Sequence, residues 1–108
     1  MLEKALSNSL AIYLALDGDA VVGLVRLVGD GFSSIFVQDL IVLPSYQRQG
    51  IGSNLMKEAL GDFKDAYQVQ LVTEQTEKNL GFYRSLGFET LSTYDCTGMI
   101  WVDRKKFK

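Results

Sequence analysis

The chain has no histidine, one cysteine, one proline and one tryptophan among its 108 residues. The absence of histidine excludes a Ser-His-Asp triad, a Cys-His pair and most zinc sites. Cys96 has no partner for an internal disulfide, which fits a cytoplasmic protein. Any catalysis must therefore use carboxylates, tyrosine, lysine, cysteine or the backbone. We interpret Cys96 as a buried small apolar residue rather than a nucleophile.

Long apolar runs and a strong charge excess are also missing. No run approaches the roughly 20 apolar residues that span a bilayer, and no basic segment followed by an apolar core marks a signal peptide. The net charge is −2, and the basic run at residues 104–108 is typical of a solvated terminus. We therefore expect no nucleic-acid partner, no membrane contact and no metal.

Apolar alternation and turn residues predict a mixed α/β (α+β) fold in a single domain over residues 1–108. The first three strands are separated by Gly/Asp turns and form an antiparallel meander. A helical crossover joins the third and fourth strands, which makes them parallel neighbours. A helix and C-terminal strands follow. The predicted strands span residues 10–16, 20–28, 33–43, 67–73, 88–92 and 99–103, and the helices span residues 51–60 and 76–85, after a weakly helical segment at 2–8.

A glycine-rich segment opens the first long helix directly after an apolar strand and Pro44. It reads Tyr-Gln-Arg-Gln-Gly-Ile-Gly-Ser over residues 46–53. A glycine turn at a helix start directs several backbone N–H groups toward one point, at the positive end of the helix dipole. Gly50 and Gly52 allow a ligand to approach the backbone because they have no Cβ. The segment therefore predicts a phosphate or pyrophosphate site.

The spacing excludes two common phosphate loops. The segment has no Lys for a G-x-x-x-x-G-K-[ST] loop and does not match G-x-G-x-x-G. It reads Gln47-x-x-Gly50-x-Gly52, which resembles the [RQ]-x-x-G-x-[GA] acetyl-coenzyme A signature of the GNAT family of N-acetyltransferases. The alternative is an ordinary strand-turn-helix connection with a glycine cap.

A second segment, residues 79–88, resembles the part of the same family that ends in F-Y-x-x-L-G-F. In that family the Phe-Tyr pair lies on the helix beside coenzyme A, which implies Phe82 as a cofactor neighbour. The family often places the tyrosine hydroxyl near the thioester sulfur, which implies a functional role for Tyr83. The alternative for Phe82, Leu86 and Phe88 is a packing role, with Gly87 as the helix C-cap.

The resemblance covers about residues 9–103 and implies acetyl-coenzyme A as co-substrate. Family members bind the pantetheine arm through the backbone of strand residues that match Leu40 and Val42. Members usually begin with an extra strand and two helices, whereas only residues 1–8 precede the meander here. We therefore expect a domain shortened at its N-terminal side, and a possible homodimer that covers the exposed face. The implied cofactor-binding residues are Leu40, Val42, Gln47, Arg48, Gln49, Gly50, Ile51, Gly52, Ser53, Asn79 and Phe82.

Acyl transfer to an amine requires one proton acceptor and one proton donor. A primary amine with a pKa of about 10 must lose a proton before it attacks the thioester. Asp39 is the first candidate base, directly or through water, and Glu74 is the second. The alternative for Asp39 is a structural hydrogen bond to the neighbouring backbone, and the alternative for Glu74 is a solvated loop residue. Tyr83 is the candidate acid for the departing thiolate.

Two functions from different classes fit the sequence. The first is an N-acetyltransferase that moves the acetyl group from acetyl-coenzyme A to a primary amine of a small molecule or protein in a ternary complex. The second is a GNAT-like module that binds coenzyme A or a partner protein without turnover.

Overall fold

A four-stranded mixed sheet forms the centre of the first of two units in the chain. The computed structural model describes residues 2–103 and residue 105, and the two units span Met1–Gln75 and Thr76–Lys108. The first unit contains α1 (Leu2–Ser7), β1 (Ala11–Asp17), β2 (Ala20–Gly29), β3 (Ser34–Val42), α2 (Ile51–Asp62) and β4 (Gln68–Leu71). The second unit contains α3 (Glu77–Ser85) and a short 3-10 helix at Leu91–Tyr94. The predicted α/β (α+β) class is confirmed.

The strands lie in the order β1-β2-β3-β4, as the turn signals and the crossover predict. The β1–β2 and β2–β3 pairs are antiparallel, and the β3–β4 pair is parallel. The β2–β3 turn is ordered by Asp30, whose Oδ1 accepts hydrogen bonds from the N–H groups of Phe32, Ser33 and Ser34. The hydrogen bond from the Ser33 hydroxyl has the largest effect on the pKa of Asp30, and the three backbone bonds add to it. Together they hold this pKa well below its usual range. The carboxylate thus replaces the hydrogen bonds that the ladder loses at the turn.

Helix α2 packs across β2 and contacts β1 and β3 on one face of the sheet. Gly23 allows this close approach, since a methyl group there would lie 3.1 Å from Ile51 Cγ2 and 3.2 Å from Leu55 Cδ1. Tyr13 Oη donates to Asp62 Oδ2 at 2.7 Å and ties β1 to the other end of α2. Burial and this bond raise the pKa of Tyr13 to about 12. The buried apolar core consists of Val22, Val25, Leu27, Ile35, Val37, Leu55, Met56 and Ala59.

Helix α1 is joined to the sheet by Arg26. Its Nη1 donates to Ser9 Oγ at 3.2 Å and to the Ala5 carbonyl at 3.4 Å. Its Nε donates to Asp39 Oδ2 at 2.7 Å. Arg26 alternates with Val25 and Leu27, which face the core, so this network lies on the sheet face opposite to α2.

Helix α3 of the second unit has well-defined ends. The Thr76 hydroxyl accepts a hydrogen bond from the Asn79 N–H at 3.1 Å and caps the N-terminus. At the other end, Phe88 N–H donates to the Tyr83 carbonyl and Gly87 N–H to the Arg84 carbonyl, both at 3.0 Å. Gly87 has a φ of +98°, so this is a Schellman motif. The predicted role of Gly87 as a C-cap is confirmed.

The predicted strands at residues 88–92 and 99–103 do not form, and this part of the prediction is wrong. Residues 91–94 form a 3-10 turn instead, and Asp95 follows with a φ of +60°. The Thr90 hydroxyl lies 3.0 Å from the Ser92 hydroxyl, a local bond that competes with strand pairing. Met99 and Trp101 are at least 90% exposed, so the apolar run that suggested a strand has no sheet to cover.

Cys96 is exposed, so the interpretation as a buried apolar residue is also wrong. It follows the 3-10 turn, and its N–H donates to the Leu91 carbonyl while its thiol donates to the Tyr94 carbonyl at 3.4 Å. The turn thus places Cys96 at the surface.

Residues 2–103 and 105 contain neither a helix suited to span a bilayer nor a cluster of side chains suited to hold a metal ion. No helix in this part of the chain has the length and apolar character needed to cross a bilayer. No three or more Asp, Glu or Cys side chains in the same residues are grouped to hold a metal ion.

Candidate active site

The N-terminus of α2 is the candidate anion site. A 3-10 helix at Pro44–Tyr46 leads from β3 into an exposed turn, where Arg48 has a φ of +64° and Gly50 a φ of +81°. Asn54 N–H donates to the Gly50 carbonyl at 2.9 Å, the bond that opens the helix. The N–H groups of residues 51–53 precede this bond and have no intrahelical acceptor. No side chain caps the helix at Gly50, so these donors are left for water or a ligand.

Space and charge at this turn suit an anion. A methyl group on Gly50 would meet no atom within 4 Å, so a ligand can approach the backbone. The first turn of α2 contains no acidic residue that would repel an anion. The positive φ at Gly50 also favours glycine, because a Cβ strains the backbone in the left-handed region. The site thus combines outward N–H groups, an open approach and a favourable helix dipole.

The backbone edge of β3 opens beside this turn. Pairing between β3 and β4 ends at Val37 and Leu71. The Leu43 N–H donates to the Val22 carbonyl at 2.9 Å, so Leu43 faces β2. Since backbone groups alternate along a strand, those of Leu40 and Val42 face the opposite edge, beyond the last β4 pair. The two strands therefore separate at the position where the sequence predicts a pantetheine-binding backbone.

Gln47 joins the turn to this edge. Its Nε2 donates to the Val42 carbonyl at 2.9 Å. This contact explains why an amide side chain is suited to the first position of the turn: it reaches the last carbonyl of β3 and needs no charge. Gln49 makes a longer bond of 3.4 Å to the Ser45 carbonyl. The Gln47 bond thus places the start of the turn at residues 47–53 beside the end of β3.

Asp39 lies in the ion pair with Arg26, at 2.7 Å between Nε and Oδ2. The Arg26 side chain is 13% exposed and that of Asp39 is 36% exposed. One carboxylate oxygen of this first candidate base is therefore occupied by a cross-strand cation. Glu74, the second candidate, is an exposed residue in the segment that follows β4.

Tyr83 lies on α3 between two aromatic rings of the second unit. Its ring centroid is 5.0 Å from Phe82 and 5.9 Å from Phe88, with edge-on geometry in both pairs. Burial raises the pKa of Tyr83 above its ordinary value of 10.0. The side chain is therefore a protonated phenol at neutral pH. Phe82, Leu86 and Phe88 are half-buried, which is consistent with the packing role given as their alternative.

Arg26 is the site-adjacent residue that the sequence interpretation missed. It is the sole charged residue of β2, and Asp39 is the sole charged residue of β3. In adjacent antiparallel strands, opposite charges that are alone in apolar sequence pair across the ladder. This signal was available in the sequence but requires the register, which a β-bulge shifts next to this pair.

Comparisons with known proteins agree with this geometry. The model of the acetyltransferase (GNAT) domain matches residues 8–90, most of the chain. The chain belongs to the GNAT acetyltransferase family. A GNAT-family acetyltransferase from Streptococcus pneumoniae TIGR4 is 85% identical with a TM-score of 0.91, and the match covers 95% of this chain and 78% of that one.

Two more distant GNAT proteins add to the comparison. GCN5-related N-acetyltransferase 1, chloroplastic, from Arabidopsis thaliana is 31% identical over 88 residues, or 81% of this chain. This GNAT chain spans 44% of the length of that relative. A GNAT-family acetyltransferase from Elizabethkingia anophelis, with acetyl-CoA bound, has a TM-score of 0.68 at 22% identity. That match covers 82% of this chain and 59% of the other, and it shows the shared fold.

Proposed function

We propose that the chain is an N-acetyltransferase that moves the acetyl group of acetyl-CoA to a primary amine of a small molecule or protein. The observation that carries the proposal is the uncapped start of α2 beside the open edge of β3. Together they offer a site for a pyrophosphate and a backbone edge for the amide-containing arm next to it. The proposed amine acceptor is supported by the name of the Arabidopsis relative, an N-acetyltransferase.

Residues 47–53 would hold the pyrophosphate. The N–H groups of Ile51, Gly52 and Ser53 supply the donors, and Gly50 leaves the approach open. Arg48 is exposed in the same turn, so its guanidinium can add positive charge without a change in the backbone. The adjacent Leu40 and Val42 would bind the pantetheine amides as an added strand binds a sheet edge. The Gln47 amide already donates to the Val42 carbonyl, so the Val42 N–H and the backbone groups of Leu40 would bind the pantetheine amides.

The chemistry needs no protein nucleophile. The amine attacks the thioester carbon, the C–N bond forms and the C–S bond breaks, while the acetyl group passes directly between the substrates. The protein's task is to orient both substrates and move two protons. Glu74, directly or through water, would accept the proton of the amine, and Tyr83 would donate a proton to the leaving thiolate. We favour Glu74 over Asp39 because Arg26 already occupies the Asp39 carboxylate.

Several further features belong to the same proposal. We propose that residues 1–108 act as one GNAT-like domain, supported by a family match that runs through both units. A homodimer is supported by an exposed apolar row on the sheet face opposite to α2, formed by Leu14, Leu24 and Ile41. Asn79 and Phe82 on α3 stay predicted cofactor contacts. A cytoplasmic location and the absence of nucleic-acid and membrane partners also stay predictions.

Gly50→Glu tests the anion site. The substitution places a side chain and a negative charge at the turn, in a backbone conformation that disfavours a Cβ. We expect calorimetric titration with acetyl-CoA to show saturable binding to the unmodified chain and none to this variant. Gly61→Glu is the matched control. It makes the same change in the last turn of α2, where a methyl group also meets no atom within 4 Å.

Three results would contradict the proposal. Equal binding by the unmodified chain and Gly50→Glu would remove the site from this turn. Binding of acetyl-CoA without transfer to any of a mixed set of primary amines would instead favour the non-catalytic coenzyme A-binding module. No binding at all by the folded chain would favour a protein-interaction module.

A further inference from the structure

A tyrosine is bonded to the β1–β2 hairpin and lies just before the turn at residues 47–53, which is called the anion turn below. Tyr46 Oη donates to Asp17 Oδ2 at 2.5 Å, across 29 positions of sequence. Asp17 is the last residue of β1, paired with Ala20 across a two-residue turn. Tyr46 is the last residue of the 3-10 helix and directly precedes Gln47. The bond therefore connects a short, register-fixed hairpin to the first residue of the turn.

The anion turn needs such an anchor because its own structure is weakly self-supporting. Gly50 provides no side-chain cap, and Arg48 and Gly50 both have positive φ. A non-glycine residue in this region is strained and persists when its surroundings hold it. The turn is held at its start by backbone bonds from Tyr46 to Leu43 at 2.9 Å and from Gln47 to Pro44 at 3.3 Å, and by the Gln47 amide on Val42. The Tyr46 phenol is the contact that reaches from this turn to another part of the sheet.

We propose that the Tyr46–Asp17 bond is a positioning device that holds the anion turn in its ligand-binding geometry. This inference rests on the proposed function and adds two residues to it. A turn held in place before a ligand arrives loses less conformational freedom on binding, which raises affinity. Tyr46 and Asp17 do not touch the ligand in this proposal; they act through the backbone of residues 47–53.

The Tyr46–Asp17 bond also affects the pKa of the tyrosine. The Asp17 carboxylate accepts the hydrogen bond from the Tyr46 hydroxyl. The hydrogen bond and the charge of Asp17 raise the pKa of Tyr46 above its ordinary value. The phenol therefore keeps its proton at neutral pH and remains a donor to the carboxylate. Loss of the hydroxyl would leave this carboxylate without its tyrosine donor.

The test is a double-mutant cycle with coenzyme A itself as the probe. Tyr46→Phe and Asp17→Ala should each weaken binding about three- to tenfold, the range expected when the net contribution of one ordinary, solvent-exposed hydrogen bond is lost. The double variant should bind no more weakly than the weaker single variant, because both remove the same bond. Asp17→Asn keeps an acceptor oxygen and should recover most of the affinity lost in Asp17→Ala.

Tyr13→Phe is the matched control. Tyr13 makes the same kind of bond, to Asp62 at 2.7 Å, but it holds the C-terminal end of α2. This variant should lose a similar amount of stability and keep its affinity for coenzyme A. Equal affinities of Tyr46→Phe and the unmodified chain would overturn the inference, as would equal losses of affinity in Tyr46→Phe and Tyr13→Phe.

Amide hydrogen exchange of the ligand-free chain separates this inference from the proposed function. Exchange at the hydrogen-bonded amides of Tyr46, Gln47 and Asn54, which flank the turn, should be faster in Tyr46→Phe than in Tyr13→Phe, because only the first variant releases the turn. If coenzyme A does not bind the unmodified chain, the proposed function fails, and the exchange rates decide whether the bond orders the turn. Unchanged exchange at these residues would overturn the anchor with or without a ligand.

Discussion

Tyr83 combines a phenol that stays protonated with rings that fix its position. If it donates the proton to the thiolate, Tyr83→Phe should lower kcat about 100-fold or more, the usual scale of general acid catalysis. The KM for acetyl-CoA should change little, because the aromatic ring and its edge-on contacts remain. Steady-state kinetics over a range of both substrates separates the two constants.

The pH dependence of Tyr83 adds a second measurement to this prediction. An acid works only in its protonated form, and burial raises the pKa of Tyr83 above 10.0. Activity that depends on the phenol should therefore persist to pH 10 and decline above it, and Tyr83→Phe should lack this alkaline decline. Tyr94→Phe, an exposed tyrosine of the same unit, is the control. Unchanged kcat in Tyr83→Phe with intact binding would remove the acid role.

Substitution of Asp39 should mainly lower stability, whereas substitution of Glu74 should mainly lower kcat. Asp39→Asn takes the charged partner from an Arg26 side chain that is 13% exposed, so we expect a loss of about 1–3 kcal/mol in the free energy of unfolding. Glu74→Gln alters an exposed residue and should leave stability unchanged while it lowers kcat about 100-fold. Urea denaturation and kinetics on both variants give the comparison. Full activity in Glu74→Gln would assign the base elsewhere.

Single residues were predictable from the sequence where backbone conformation decides their role. Gly87 has the positive φ that a Schellman end requires, and Gly50 has a positive φ at the start of α2, so each glycine lies at the helix end where the sequence placed it. Cys96 was placed wrongly, because its burial depends on whether the predicted strands on either side of it form and not on its own chemistry. Asp39 was identified, but its pair with Arg26 depends on a bulge that no local pattern reveals.

At the scale of elements, the approach of α2 to β2 depends on Gly23. Gly23→Ala would place a Cβ 3.1 Å from the Ile51 side chain and 3.2 Å from the Leu55 side chain, so these side chains, or the helix that carries them, must move by a few tenths of an ångström. We expect a loss of about 1–3 kcal/mol in the free energy of unfolding, the usual effect of overpacking a core. Affinity for acetyl-CoA should also fall, because Ile51 is the first residue of α2 and carries one of the N–H donors.

Gly61→Ala is the control for this prediction. Gly61 lies in the same helix, exposed and with no atom within 4 Å of a methyl group. Since alanine favours a helix more than glycine does, this variant should be about 1 kcal/mol more stable, with unchanged affinity. Urea denaturation and calorimetry measure both effects. A stable Gly23→Ala variant with full affinity would show that the core adapts without moving the helix start.

The elements that were predicted correctly have two independent signals, and those predicted wrongly have one. The meander strands combine apolar alternation with Gly/Asp turns, and α2 combines an apolar face with a glycine start. The segments at 88–92 and 99–103 offered only apolar and β-branched residues. A strand also needs a partner with free backbone groups, and the hydroxyls around Thr90 provide a local turn instead.

At the scale of the whole molecule, the open edge of β3 follows from topology and from strand length. The crossover through α2 makes β3 and β4 parallel, and β4 has only four residues against nine in β3. Pairing therefore stops at Val37 and the last residues of β3 extend beyond β4. The sequence predicts the parallel pair through its crossover. The predicted fourth strand, at residues 67–73, was too long by three residues, so the extent of the opening could not be predicted.

The sheet face opposite to α2 leads to the prediction at the largest scale. Register places Leu14 beside Leu24 and Leu24 beside Ile41, and Leu14 and Ile41 are 50% and 57% exposed. Ile12 and Leu16 on β1 extend this apolar row with exposures of 38% and 60%. A second copy of the chain could cover the row by two-fold symmetry, because β1 is the edge strand and leaves the row accessible from the side.

Leu14→Lys should therefore convert a homodimer into a monomer. In an isologous dimer each substitution counts twice, so two lysines would be placed against an apolar surface and would have to lose their hydration. Sedimentation velocity over a wide range of concentrations should show a dimer for the unmodified chain and a monomer for the variant.

Phe32→Lys is the control, since Phe32 is 81% exposed in the β2–β3 turn and lies outside the row. A monomer at every concentration for the unmodified chain would reject the dimer. If the dimer forms through the row, Leu14→Lys should dissociate it more strongly than Phe32→Lys does. Equal dissociation by the two variants would therefore place the interface elsewhere.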